Sequence, residues 1–215
     1  MTTPARIHHR VVLATRNRAK LDELRRILFS AAPDVWVVGL SEVRQYPEPR
    51  ETERDFEGNA LLKARACCAA TGLPALADDS GLVVDVLNGM PGVRSARWAG
   101  PQATDADNND LLLRQLFDVE PADRTARFVC AMALVLPDGV EHVRRGEMPG
   151  RLAVQSSGHQ GFGYDPLFVA EGMGVTNGEL GVAAKDAISH RGRAVRAIVP
   201  VLISELRRLG VQEDG

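Results

Sequence analysis

The spacing of apolar residues changes period repeatedly along this chain, and that restricts its fold more than any other feature. Arg10 to Ala14 is a short β-branched run, and after Thr15-Arg16-Asn17 the segment Lys20 to Phe29 carries Leu21, Leu24, Ile27 and Leu28 at helical spacing. Strand, loop and helix therefore follow one another at the start. Val35 to Leu40 predicts a second strand, and Ser41 to Asp55, charged and proline-bearing without periodicity, a surface loop. Phe56 to Ala70 predicts a helix stopped by Gly72 and Pro74. Ala75 to Ala77 and Leu82 to Leu87 are strand-like, with the acidic pair Asp78-Asp79 expected at a corner between them.

Further on, Asn88 to Gly100 is glycine-rich loop and Asp105 to Phe117 a helix with an acidic start. Thr125 to Leu136 and Val140 to Arg145 flank Pro137-Asp138-Gly139, which is turn chemistry, so an antiparallel hairpin is expected. Leu152 to Val154 and Leu167 to Val169 predict short strands on either side of Gly158 to Gly163, and Ala184 to Leu209 a helical region kinked or divided at Pro200. Alternating helices and strands followed by a hairpin imply a mixed α/β sheet rather than a purely parallel one. With 215 residues and neither repeat nor linker, residues 1–215 are expected to form a single domain, with short flexible ends at about 1–8 and 210–215.

A net charge of -2 disfavours a nucleic-acid polymer or an anionic membrane surface as partner, but not a small anion. No apolar run approaches the roughly 18 residues of a membrane span, and Met1 to Arg10 is polar, so a cytoplasmic protein is expected. Cys67, Cys68 and Cys130 have no C-x-x-C spacing and are expected as small buried hydrophobes.

Four segments concentrate chemistry. Thr15 to Lys20 joins a strand end to a helix start, where backbone N–H groups and Lys20 can hold phosphate; Asn17 as a simple helix cap is the plainer alternative. Asp78-Asp79-Ser80-Gly81 offers paired carboxylates suited to Mg²⁺ or to orienting water, with a turn as the alternative. Glu51, Glu53 or Glu57 could add a further ligand. Gly161 to Pro166 sets Phe162 and Tyr164 among glycines, which suits stacking on a flat ligand or, equally, capping the core. Lys185 and Ser189-His190-Arg191-Gly192 gather cations and donors near a helix start, which the helix dipole does not favour, so an anionic or carbonyl-bearing ligand is suggested, with a solvated basic turn as the alternative. No serine or cysteine has an evident histidine partner, which disfavours a covalent intermediate.

In their order and spacing these segments, together with Phe56, Asn59, Ala60 and Lys63-Ala64 and with Gly92 through Ser95-Ala96-Arg97, resemble the inosine triphosphate pyrophosphatase family over nearly the whole chain. The resemblance implies a mixed α/β fold whose elongated sheet carries two lobes flanking a nucleotide cleft, usually as a homodimer. It implies Mg²⁺-dependent hydrolysis of ITP, dITP or XTP to the monophosphate and pyrophosphate, clearing deaminated purines. Carried onto this chain, Thr15, Arg16, Asn17, Arg18, Ala19 and Lys20 would hold the triphosphate. Asp79 would be proton acceptor and metal ligand, Glu51 the second metal-side carboxylate, and Ser80 a substrate contact. Phe162, Gly163, Tyr164, Asp165, Lys185, His190 and Arg191 match nucleoside-binding positions. Two departures stand out: Arg16 where glycine is frequent, and Glu53 where many relatives have glycine after the threonine. A related enzyme for modified pyrimidine or standard triphosphates, or a silent nucleotide sensor, is the competing expectation.

Overall fold

A computed structural model describes residues 10–213. The expected flexible end at 1–8 lies outside them, as do 214 and 215 of the other. One six-stranded sheet has the order β2-β1-β3-β4-β5-β6. β1 (Arg10–Leu13) runs parallel to β2 (Trp36–Gly39) and to β3 (Ala75–Val84). β4 (Thr125–Val135), β5 (Glu141–Leu152) and β6 (Phe168–Ala170) continue antiparallel, so the sheet is mixed, as the apolar spacing implied.

Local signals start and stop the helices. α1 (Arg18–Ala31) begins where the Asn17 side chain accepts the Lys20 N–H at 3.1 Å, so the plainer reading of Asn17 also holds. α2 (Phe56–Thr71) is capped by Asp55, which accepts from the Gly58 N–H at 2.7 Å, and ends at Gly72 in the left-handed region, φ 68°. α3 (Asp105–Gln115) opens on a Thr104–Asp107 capping box. α4 (Val182–Ile188) and α5 (His190–Glu213) complete the set.

The structure departs from the sequence pattern at three places. The acidic pair does not sit at a corner: β3 runs unbroken through Asp78, Asp79 and Ser80, each paired with β4. Leu152 is the last residue of β5 rather than the start of a separate strand, because the hairpin ladder extends to Thr125↔Arg151. The final helical region breaks at Ser189, not at Pro200. Ser189 has extended backbone, and its hydroxyl accepts the Gly192 N–H at 2.9 Å, starting α5 afresh. Pro200 stays inside α5 on an exposed face, where water can serve the Arg196 carbonyl that has lost its donor.

Strand alternation assigns the core. Val11, Leu13, Leu76, Met132 and Leu134 pack against α1 and α5, while Val12, Ala75, Ala77, Ala131 and Ala133 pack against α2 on the other face. Farther along, Leu82, Val84 and Phe128 of β3 and β4 and Met148 of β5 join Leu112 of α3, Leu116 just after it and Phe168 in a third apolar region. Asp78 to Gly81 lie where the sheet passes from the first two regions to the third. A polar strip between apolar regions is thus built into β3. Among the described residues, no helix is long and apolar enough to cross a membrane. The three cysteines are buried and free.

Candidate active site

The strip floors a cleft. Its walls come from the β1–α1 turn, the loop before α2, the 3₁₀ segment Gly92–Arg97, the start of α3, the 162–165 loop and the start of α5. Because neighbouring side chains on β3 face opposite ways, Asp78 and Ser80 turn toward α1 and α5, and Asp79 toward α2.

On the first side the Lys20 Nζ donates to Asp78 at 3.0 Å, the Ser80 hydroxyl donates to Asp78 at 2.9 Å, and Arg191 Nη2 donates to the Ser80 oxygen at 3.2 Å. Arg191 Nη1 continues the chain to Glu23 Oε2 at 2.9 Å. Burial alone would push the Asp78 carboxyl up, but Lys20, Lys63 and Arg191 outweigh it and hold the group well below the usual carboxylate range. Asp78 is therefore an anion that anchors cations, and Arg191 is held between Glu23 and Ser80.

On the other side Asp79 accepts from Asn59 Nδ2 at 3.1 Å and from the Ser80 N–H at 3.0 Å. Burial raises its carboxyl to about 6; Glu51 and Asp78 add to this, and Lys63 and Lys20 oppose it. A carboxylate poised near neutrality is suited to accept a proton. Lys63 Nζ lies 3.0 Å from Glu51 and 3.7 Å from Asp79, and Arg97 Nη1 lies 3.1 Å from the other Glu51 oxygen. An ammonium thus rests between the two carboxylates expected to bind metal. Hard oxygen donors so arranged fit a divalent cation that takes one or two carboxylates and completes its shell with substrate phosphates. Among the described residues, no group of three or more His, Cys, Asp and Glu gathers as a metal cluster. Glu57 is engaged by Arg145 at 2.9 Å, and Glu53 is exposed.

At the far end of the cleft stands the Phe162 ring, with the Arg191 guanidinium 4.8 Å and Lys185 Nζ 5.1 Å from its centroid. His190 stacks on Phe128, with centroids 4.8 Å apart and planes 9° from parallel. The residue is 2% exposed, and neither ring nitrogen has a hydrogen-bond partner among the described residues. Burial, with Arg191 and Lys185 nearby, drives its pKa well below the ordinary histidine value, so the imidazole is neutral and carries one N–H.

The structure brings Thr15, Arg16, Asn17, Lys20, Glu51, Asp79, Ser80, Phe162, Gly163, Tyr164, Asp165, His190 and Arg191 to the cleft wall. Arg18 and Ala19 are exposed on α1 and do not line it, since the first helical turn carries them away from the strand end. Lys185 stands behind the wall, its Nζ 2.5 Å from Asp165, in the last turn of α4 where a cation suits the dipole. Tyr164 offers no free ring face: it is 3% exposed within the third apolar region, and its hydroxyl donates to the Ser95 carbonyl at 2.9 Å. Tyr164 thus caps the core with its ring, whereas the half-buried Phe162 ring lines the cleft beside Arg191 and Lys185.

Motif reading gave no role to Glu23, Asn59, Lys63 or Arg97. Glu23 shares the buried stripe of Leu24, Ile27 and Leu28, and Asn59 and Lys63 share that of Phe56, Ala60, Ala64 and Cys67. A polar residue on an apolar helix stripe was the available signal.

The Ham1 family model matches residues 11–201. The chain belongs to the Ham1 family. It is 55% identical to the dITP/XTP pyrophosphatase of Cutibacterium acnes over 92% of this chain and 98% of that one, and 59% identical to the protein of the same name from Nocardia farcinica over 90% and 94%. Among solved structures, a nucleoside-triphosphatase / dITP/XTP pyrophosphatase from Mycobacterium abscessus aligns with TM-score 0.73 at 50% identity, covering 89% of this chain and 99% of that one. The Staphylococcus aureus Ham1 protein aligns with TM-score 0.81 at 37% identity, covering 91% and 99%. The family resemblance carried by the motifs and the mixed α/β fold both agree with these matches.

Proposed function

We propose that this chain is a nucleoside triphosphate pyrophosphatase that binds ITP, dITP or XTP with Mg²⁺ and releases the monophosphate and pyrophosphate. The observation that carries this reading is the order of groups along the cleft: cations and helix N–H groups at one end, Asp79 in the middle, and an aromatic face beside an unpartnered neutral histidine at the other.

Lys20 and the first turn of α1 hold the polyphosphate; that turn has no acidic side chain of its own. Water attacks the α-phosphorus, its oxygen forming the new P–O bond as the bond to the α–β bridging oxygen breaks. Asp79 accepts the water's proton, and pyrophosphate leaves with the electron pair. Asp79 and Glu51 would hold Mg²⁺, which when bound neutralises charge developing on the phosphates. Lys20 and Lys63 contribute fixed positive charge beside the same groups.

At the base end Phe162 stacks and the His190 N–H reads the 6-oxo group of hypoxanthine or xanthine. Adenine presents an amino donor there, and a site built for one hydrogen-bond pattern can reject its mismatch by about 10⁴-fold or more. Arg191 was expected to share this reading. Two of its five N–H donors go to Glu23 and Ser80 and its guanidinium lies 4.8 Å from the Phe162 centroid, so it joins the base end to the phosphate end. In the same reading the chain is one domain of two lobes, works in the cytoplasm as a homodimer, and clears deaminated purine nucleotides; light scattering reports the dimer.

Pyrophosphate release measured across ITP, XTP, dITP, GTP, ATP, CTP and UTP tests the proposal. Rapid release from the first three and poor release from ATP is expected; preference for a pyrimidine, or orthophosphate as the first product, would overturn it. Replacing His190 by alanine should lower kcat/KM for ITP far more than for ATP. Arg191→Ala should damage both alike, because it leaves Glu23 buried without its partner.

A further inference from the structure

The Phe162 face is offered by a glycine-rich loop, and such a loop has much backbone freedom to lose when a base binds. Gly163, next to Phe162, has φ +63° and makes two hydrogen bonds to α3. Its N–H donates to Asp105 Oδ2 at 2.6 Å, and its carbonyl accepts from Asn109 Nδ2 at 2.9 Å. The two side chains are four residues apart and share one helix face. Asn109 is 6% exposed, and its amide also donates to the Asp105 carbonyl at 2.8 Å, which ties the clasp together. The start of α3 is capped independently by Thr104 and Asp107, so Asp105 is not needed as the cap. On the other side of Phe162, its own N–H donates to Asp165 at 2.8 Å. α3 in turn is anchored by Leu112 and by Leu116 at its C-terminal cap, both buried in the third apolar region.

We propose that Asp105 and Asn109 are positioning residues: by gripping both backbone groups of Gly163 they fix the Phe162 ring for stacking on a purine base before the nucleotide arrives. The inference rests on the reading of Phe162 as the stacking face. Its physical content is preorganisation, in which the ordering of the loop is settled in the free protein and is not charged against binding. The clasp therefore acts on base-bearing ligands and not on the polyphosphate.

The test compares two probes binding to the full chain: an ITP analogue with a non-hydrolysable α–β bridge, and inorganic triphosphate, which has no base. In the double variant Asp105→Ala, Asn109→Ala the dissociation constant for the analogue should rise about tenfold, with that for inorganic triphosphate unchanged. Asp105→Asn, which keeps an acceptor for the Gly163 N–H, should bind the analogue more tightly than Asp105→Ala. Asn109→Asp, which sets an acceptor against a carbonyl, should bind it as weakly as Asn109→Ala. Equal weakening of both probes would mean a structural role only, and no weakening of either would mean an idle clasp; each overturns the proposal. Both readouts are binding constants, measured for inorganic triphosphate without added metal, so absence of pyrophosphate release from ITP would defeat the proposed reaction while leaving the clasp result standing. Phe162→Ala binding the analogue as wild type does would remove the stacking reading and the clasp's purpose with it.

Discussion

Asp78 and Asp79 are neighbours of the same type, yet their environments push them apart in acidity. Asp78 lies in the positive field of Lys20, Lys63 and Arg191 and stays ionised, whereas for Asp79 burial prevails and the carboxyl rises from an ordinary 3.8 to about 6. The sign of the stability effect follows. Below pH 3.8 Asp79 is protonated both folded and unfolded and contributes nothing; between 3.8 and about 6 the unfolded chain ionises first, so folding loses stability as pH rises. Above that the loss is complete, on the order of 3 kcal/mol at 1.36 kcal/mol for each pH unit of difference. Asp79→Asn in metal-free protein should therefore be more stable than wild type in urea at pH 7.5, with the gap closing toward pH 4. Its turnover should fall by at least about 10²-fold, the lower range for a general base. Equal urea midpoints at pH 7.5 would show that burial does not raise this carboxyl, and unchanged turnover would remove it from the chemistry. The opposite roles of the pair were not legible in the sequence, because they depend on which helix each faces. That in turn follows from an unbroken β3, where Asp-Ser-Gly chemistry had suggested a corner.

At the scale of elements, legibility followed the strength of local signals. α1, α2 and α3 lie close to where apolar spacing and capping residues placed them, and Pro137-Asp138-Gly139 marked the β4–β5 turn. The errors came where tertiary pairing overrode a local signal: β4 carries β3 through its acidic pair, β5 extends to Leu152, and α5 passes through Pro200. The start of α5, which delivers His190 and Arg191, depends on something no window of sequence displays. β5 passes beneath it at Gly146, where an added Cβ would lie 2.2 Å from the His190 carbonyl oxygen and 2.5 Å from the Ala194 nitrogen. Both atoms are backbone of α5 and have little room to yield. Gly146→Ala should push α5 off the sheet, costing about 1–3 kcal/mol of stability as overpacking does. It should also weaken binding of the ITP analogue, since His190 moves with the helix. A variant with wild-type melting temperature and affinity would show that the approach is looser than the distances imply.

Among the described residues one sheet runs through three apolar regions, with the polar strip of β3 between the first two and the third and groups from both sides lining the cleft. Thr15, Lys20 and Glu51 come from the side of the first two apolar regions; Phe162 and Phe128 come from the side of the third. A nucleotide that reaches from phosphate end to base end touches both sides and is absent from the unfolded chain, so binding must raise the stability of the fold. At about 100 times its dissociation constant a ligand contributes about 2.7 kcal/mol. For a chain of roughly 150–250 residues each kcal/mol moves the melting temperature by about 2–4 °C, giving an expected rise of about 5–11 °C. The ITP analogue with Mg²⁺ should produce such a rise, and chelator should remove most of it, because Asp79, Glu51 and the phosphates would then face one another without the cation. The matching ATP analogue at the same concentration should give almost none, because the His190 N–H would meet an amino donor. Equal shifts with the two analogues would show that the base end does not read the 6-oxo group. A full shift in chelator would show that Lys20, Lys63 and Arg97 neutralise the phosphates unaided, and that the Asp79–Glu51 pair has no part in holding a metal.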